Sequence, residues 1–149
     1  MKTIWFDMDG TIADLYGVQN WLTMLRAQDP TPYAQATPKL NMSKLAKLLH
    51  QVQAAGWRIG IISWLSKEPD PTYDLAVTRA KKRWLNTHLT SVSWDEINIV
   101  AYGTPKYYFS NNNEDILFDD EEKNRNEWTG HAYAEYEIIS VLKTILSED

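Results

Sequence analysis

Two carboxylates one residue apart, Asp7 and Asp9, end the apolar run Ile4-Trp5-Phe6 and are followed by Gly10 and Thr11. Carboxylates so spaced can serve one hard cation. One ligates and acts as a nucleophile while the other moves a proton, and a divalent ion such as magnesium offsets their repulsion. Gly10 supplies a permissive backbone and Thr11 a hydroxyl. An ordinary polar turn uses the same residue types, so the weight lies in its position. It directly follows a short apolar strand, at the edge where open α/β sheets place their sites.

Three further features follow along the chain. The run Ile59-Gly60-Ile61-Ile62 ends in the hydroxyl of Ser63, and Lys106 sits in Gly103-Thr104-Pro105-Lys106 after a third apolar run. Ile116-Leu117-Phe118 then leads into Asp119-Asp120. Two adjacent carboxylates ending an apolar strand are costly unless a cation or donors compensate them. Each feature alone has an ordinary explanation: a strand-end serine, a surface lysine, or, with Glu121 and Glu122, an acidic helix start.

The elements that must position these groups alternate in type. Candidate strands are Thr3 to Asp7, Arg58 to Ser63, Ile97 to Tyr102, Asp115 to Asp119 and a weaker run at His131 to Ala134. Short apolar runs separated by amphipathic ones predict an α/β domain with a mainly parallel sheet covered on both faces. Leu45, Leu48, Leu49 and Val52 recur at helical spacing, with Ser43 near the expected cap and Gly56 at the stop. Tyr73, Ala76, Val77, Ala80 and Trp84 trace a second helix from Thr72 to about Leu89, and Arg79, Lys81, Lys82 and Arg83 are read as its solvated face. Ile138, Ile139, Leu142, Ile145 and Leu146 mark the last helix. Leu15 to Ala27 reads as a short helix, and Asp29 to Pro38, with Pro30, Pro32 and Pro38, as an irregular loop.

Asp7-Met8-Asp9-Gly10-Thr11 resembles the first motif of the haloacid dehalogenase-like phosphatase superfamily. In that superfamily a second strand ends in Ser or Thr, a Lys follows, and a later strand ends in paired acids; here these are Ser63, Lys106 and Asp119-Asp120, in that order. The resemblance spans roughly Ile4 to Asp120. It implies a Rossmann-like three-layer sandwich with a five-stranded, mainly parallel sheet, and a Mg2+-dependent phosphomonoester hydrolase working through an aspartyl-phosphate. Asp7 would be the nucleophile and Asp9 the general acid and base. Ser63 and Lys106, with Thr11 and Trp64, would bind the phosphorylated substrate. Asp7, Asp9 and Asp120 would hold Mg2+, with Asp119 in support through a contact to Lys106. Lys123 is the runner-up for the lysine, but it follows the acidic pair.

Composition bounds this reading. A chain of 149 residues, 44% hydrophobic, is long enough for one core and is expected to form a single domain, residues 1–149. The net charge of -5 offers no general attraction to nucleic acid. With no cysteine, thiolate chemistry and thiolate metal sites are excluded. Neither a signal peptide nor a membrane span is evident, so a cytoplasmic protein is expected. The interval from about residue 14 to 40 has room only for a small cap-like helix and loop. An open site then suits a large substrate, a partner that closes it, or a small phosphoester gripped by Tyr16, Trp21, Tyr33 and Trp64, although such aromatics serve more often as core. The resemblance, nearest in size and first motif to small nucleotidases, implies a nucleotide among these. Two alternatives stay open: a phosphatase of nucleic-acid ends or another macromolecule, contacted through the Arg79 to Arg83 face, and a noncatalytic binding module of the same fold.

Overall fold

A computed structural model describes residues 1–148. In chain order the elements are β1 (Thr3–Phe6), β2 (Ala13–Asp14), α1 (Trp21–Arg26), α2 (Thr31–Gln35), β3 (Thr37–Pro38), α3 (Met42–Ala54) and β4 (Arg58–Trp64). They continue with α4 (Pro71–His88), β5 (Glu96–Val100), β6 (Ile116–Phe118), α5 (Glu122–Glu127), β7 (His131–Tyr133) and α6 (Ile138–Ser147). Five strands form one parallel sheet in the order β5-β4-β1-β6-β7. The all-buried β1 is central, with Phe6 opposite Ile61 on one side and Phe118 on the other. This register brings the C-terminal ends of β1, β4 and β6 to one edge.

Side chains alternate across the sheet. Ile4, Phe6, Ile59, Ile61, Ile116 and Phe118 pack with Leu45, Leu49 and Val52 of α3 and Ile138 and Leu142 of α6. Trp5, Ile62 and Leu117 meet Trp128 on the opposite face. Gly60 is required there, because a Cβ at that position would come within 2.3 Å of the Trp5 ring. Asp115 is a fully buried carboxylate that ties β1 to the chain leading into β6. It accepts from Thr3 N at 2.8 Å, Trp5 Nε1 at 3.2 Å and Asn111 N at 2.9 Å.

Helix ends differ in detail from the expectation. Asn41, rather than Ser43, caps α3 by accepting from Lys44 N, and Gly56 at φ 100 follows its end. Asp70 caps α4 through Thr72 N and Tyr73 N, with Pro71 in the first turn.

Residues 13–38 depart further. The predicted helix from Leu15 to Ala27 is split into a 3-10 turn over Leu15–Gly17 and the short α1. Asp14 closes the turn by accepting from Gly17 N, and Asn20 at φ 62 breaks the helical path. Within the expected irregular loop, α2 forms with Pro32 in its first turn, where its missing N–H costs nothing, and β3 pairs antiparallel with β2. Leu15 and Tyr33 of this segment pack on Tyr73 and Val77 of α4. Among the described residues, no helix is long and apolar enough to cross a membrane.

Candidate active site

Asp7 leaves β1 with its amide bonded to Phe118 O at 2.9 Å. The chain then turns tightly, as the amides of Thr11, Ile12 and Ala13 converge on Met8 O. Gly10 stands at φ 82, and a Cβ there would fall 2.3 Å from Asp120 Oδ2. Glycine therefore satisfies both the left-handed backbone and the close approach of Asp120.

Both Asp7 oxygens are held. Lys106 Nζ donates to Oδ1 at 2.8 Å, and Thr11 Oγ1 donates to Oδ2 at 2.8 Å. The Thr11 hydroxyl also lies 3.3 Å from Asp120 Oδ1 and accepts from Asp120 N at 3.2 Å. Thr11 is buried beneath the carboxylates it joins and does not line the cavity above them.

Lys106 opens a 3-10 turn, Lys106–Phe109, and is 3% exposed. Its second partner is Asp119 Oδ2 at 2.7 Å. Burial alone would lower the lysine's pKa, but the charges of Asp7 and Asp119 outweigh it and hold the ammonium well above its ordinary value. Asp119 also accepts from Glu121 N and Asn124 Nδ2, so both its oxygens are engaged. Asp120 is less satisfied: burial first, then the neighbouring charge of Asp7, pushes its carboxyl up to about 8. Lys123, by contrast, is an exposed residue of α5 paired with Glu127.

Oxygens of Asp7, Asp119 and Asp120 lie within 4.8 Å of one another. The Asp9 carboxylate is outside this group. Its Oδ2 accepts instead from Lys81 Nζ at 2.9 Å, and Lys81 also donates to Ser63 Oγ and the Trp64 carbonyl, both at 2.7 Å. This corrects the reading of residues 79–83 as one solvated face: Arg79, Lys82 and Arg83 are exposed, but Lys81 is 1% exposed. The signal was present in the spacing, since Lys81 lies four residues after Val77 and three before Trp84, on the apolar stripe. Asp9's pKa is raised, chiefly by burial, with Lys81 opposing and Asp7 adding to the rise.

Asp7, Asp9, Lys106, Asp119 and Asp120 floor a cavity of about 300 Å³. Its walls combine five aromatic rings with leucines and with the polar side chains of Ser66, Lys67, Glu121 and Asn124. Tyr16, Trp21 and Tyr33 come from the 13–38 segment, and Trp64 and Tyr102 from the ends of β4 and β5. Trp64 Nε1 donates to Thr104 O, its ring lies 5.0 Å from that of Tyr102, and Lys106 Nζ stands 5.3 Å from its centroid. Ser63 is buried behind this surface, with Lys81 as its partner.

The parallel sheet, the acidic turn after its central strand, and the buried lysine joining that turn to a second acidic strand end define a haloacid dehalogenase-like fold. Solved structures that share it include two phosphatases. One is D,D-heptose 1,7-bisphosphate phosphatase from Burkholderia thailandensis, at 13% identity and a TM-score of 0.50, covering 85% of this chain and 70% of that one. The other is D,D-heptose 1,7-bisphosphate phosphatase from B. bronchiseptica, complexed with magnesium and phosphate, at 13% identity and a TM-score of 0.60, covering 100% of both chains. At that identity the likeness is one of fold. No family model matches the sequence, and no curated protein does.

Proposed function

We propose that the chain is a Mg2+-dependent phosphomonoester hydrolase with Asp7 as nucleophile. The observation that carries this reading is the Asp7 carboxylate, held at one oxygen by Lys106 and at the other by Thr11, at the floor of an aromatic-walled cavity. Magnesium fits the donor set. Asp7, Asp119 and Asp120 offer hard anionic oxygens within reach of one another, and the pKa of Asp120 is raised by burial and then by the charge of Asp7, both of which a cation would offset. Asp7 and Asp120 would hold the ion, with Asp119 committed mainly to Lys106. When bound, Mg2+ would offset the charge of the transferring phosphoryl group.

The chain's own groups account for the rest. An Asp7 oxygen forms a bond to phosphorus as the bond to the leaving oxygen breaks, giving an aspartyl-phosphate and an alcohol. Asp9, whose pKa is raised chiefly by burial with Lys81 opposing, gives its proton to that leaving oxygen. It then takes a proton from a water whose oxygen attacks phosphorus, breaking the acyl phosphate and freeing Asp7 and inorganic phosphate. Lys106 balances the negative charge beside the nucleophile throughout.

For the substrate, the aromatic rings of the walls favour an organic group that can stack on them, as the base of a nucleotide does. A macromolecular end has less support, because Arg79 and Arg83 fall on the side of α4 opposite Lys81. The test is turnover of p-nitrophenyl phosphate, a nucleoside monophosphate panel and phosphorylated oligonucleotides in Mg2+, with Asp7→Asn as the blank. Activity on the first two that disappears in Asp7→Asn is expected. Silence on all three, or full activity in Asp7→Asn, would overturn the proposal in favour of a binding module or a different nucleophile.

A further inference from the structure

Lys81 has three protons and three acceptors: Asp9 Oδ2 at 2.9 Å, Ser63 Oγ at 2.7 Å and the Trp64 carbonyl at 2.7 Å. Nothing remains on Nζ to bind a substrate, and the side chain does not line the cavity. A buried ion pair is by itself weak grounds for a role, since an apolar replacement is often as stable. What distinguishes this one is its partners. Asp9 and Ser63 follow or end two neighbouring strands, and both belong to the reacting edge of the sheet. By taking Asp9 Oδ2, the ammonium leaves Oδ1, which has no hydrogen bond among the described residues, as the oxygen free for proton transfer. By donating to Ser63 Oγ, it turns the serine's own hydrogen away from Lys81. The Tyr33 ring, 5.1 Å from Nζ, closes the cavity side.

We infer that Lys81 is a positioning residue for leaving-group protonation, fixing the Asp9 carboxylate so that Oδ1 delivers its proton. The inference rests on the phosphatase reading. In the step concerned, the bond from Asp7 to phosphorus forms and the ester bond breaks, and the Asp9 proton passes to the departing oxygen. The carboxylate left behind is already paired with the Lys81 ammonium.

A leaving group that departs as a stable phenolate needs little of that proton, whereas an alkoxide needs all of it. The experiment compares kcat/KM for p-nitrophenyl phosphate and benzyl phosphate, a quantity that covers the steps through loss of the alcohol and is blind to slow hydrolysis of the aspartyl-phosphate. Lys81→Met is expected to lower kcat/KM for benzyl phosphate about a hundredfold, in the range of general acid catalysis. The loss for p-nitrophenyl phosphate is expected to be at least about tenfold smaller. Lys81→Gln, whose amide keeps a donor in the buried site and so spares folding, should shift the ratio the same way. Asp9→Asn should reproduce the shift, and Lys81→Met added to it should not enlarge the ratio. Equal losses on both esters in folded Lys81 variants, or an added shift in the double variant, would overturn the inference. A wild type inactive on both esters would instead overturn the phosphatase reading beneath it.

Discussion

Lys106 Nζ and Asp7 Oδ1 meet at 2.8 Å across 99 residues of sequence, in a buried pair that Asp119 completes from the next strand. Removing the ammonium would strand two buried carboxylates. Lys106→Met is therefore expected to cost stability as well as turnover, by about 3–5 kcal/mol for loss of one partner of a buried pair. Urea unfolding of the metal-free protein reads the first effect and p-nitrophenyl phosphate hydrolysis the second, with a fall in kcat of at least about a hundredfold. Added Mg2+ should restore part of the stability but not the rate. Wild-type stability in the variant would show that the pair is replaceable by solvent.

Asp120 ties stability to pH through the cation. Its folded pKa lies above its unfolded one, so its contribution is complete below about pH 4 and is lost as pH rises through about 8. In that window the folded protein holds a proton the unfolded chain has released, and the cost of a buried charge, together with repulsion from Asp7, grows as the proton leaves. Mg2+ binds the ionised form, so the rise in Tm on replacing EDTA with Mg2+ should be larger at about pH 8 than at about pH 5. Asp120→Asn should flatten that difference. An equal Mg2+ effect at both pH values would remove Asp120 from the cation site.

Gly10→Ala tests the close approach of the two acidic strand ends. The added methyl would fall 2.3 Å from Asp120 Oδ2, at a backbone φ of 82. The left-handed conformation alone costs about 1–2 kcal/mol. Displacing Asp120 should weaken Mg2+ binding, read by titration calorimetry, by at least about tenfold, equivalent to about 1.4 kcal/mol. Loss of stability with unchanged Mg2+ affinity would limit Gly10 to a folding role.

The strands were legible because buried parallel strands read as unbroken apolar runs, and the acidic residues at their ends interrupt those runs abruptly. Thr11 was legible only as a hydroxyl. Its position between Asp7 and the Asp120 amide depends on a strand 109 residues away. Lys81 was hidden for a different reason: it stands among exposed cations, and charge outweighed its place on the Val77 and Trp84 stripe. The break between Leu15–Gly17 and α1 depends on Asn20 adopting a left-handed backbone, which residue type permits but does not require.

Tyr102 offers the sharpest test of substrate class. Its ring packs 5.0 Å from that of Trp64, with Lys67 Nζ 5.8 Å from its centroid, and at 48% exposed it lines the cavity without being part of the core. If the organic group of the substrate lies against these rings, Tyr102→Ala removes binding that is equal in ground and transition states. KM for a nucleoside monophosphate should then rise about threefold to tenfold with kcat little changed, the effect of losing about 0.5–1.5 kcal/mol of aromatic contact. Ethyl phosphate, which cannot reach the ring, should show no such rise. An equal loss on both esters, carried by kcat, would mean that Tyr102 acts instead by supporting Trp64 beneath Lys106, and the cavity walls would then carry no preference for an aromatic substrate.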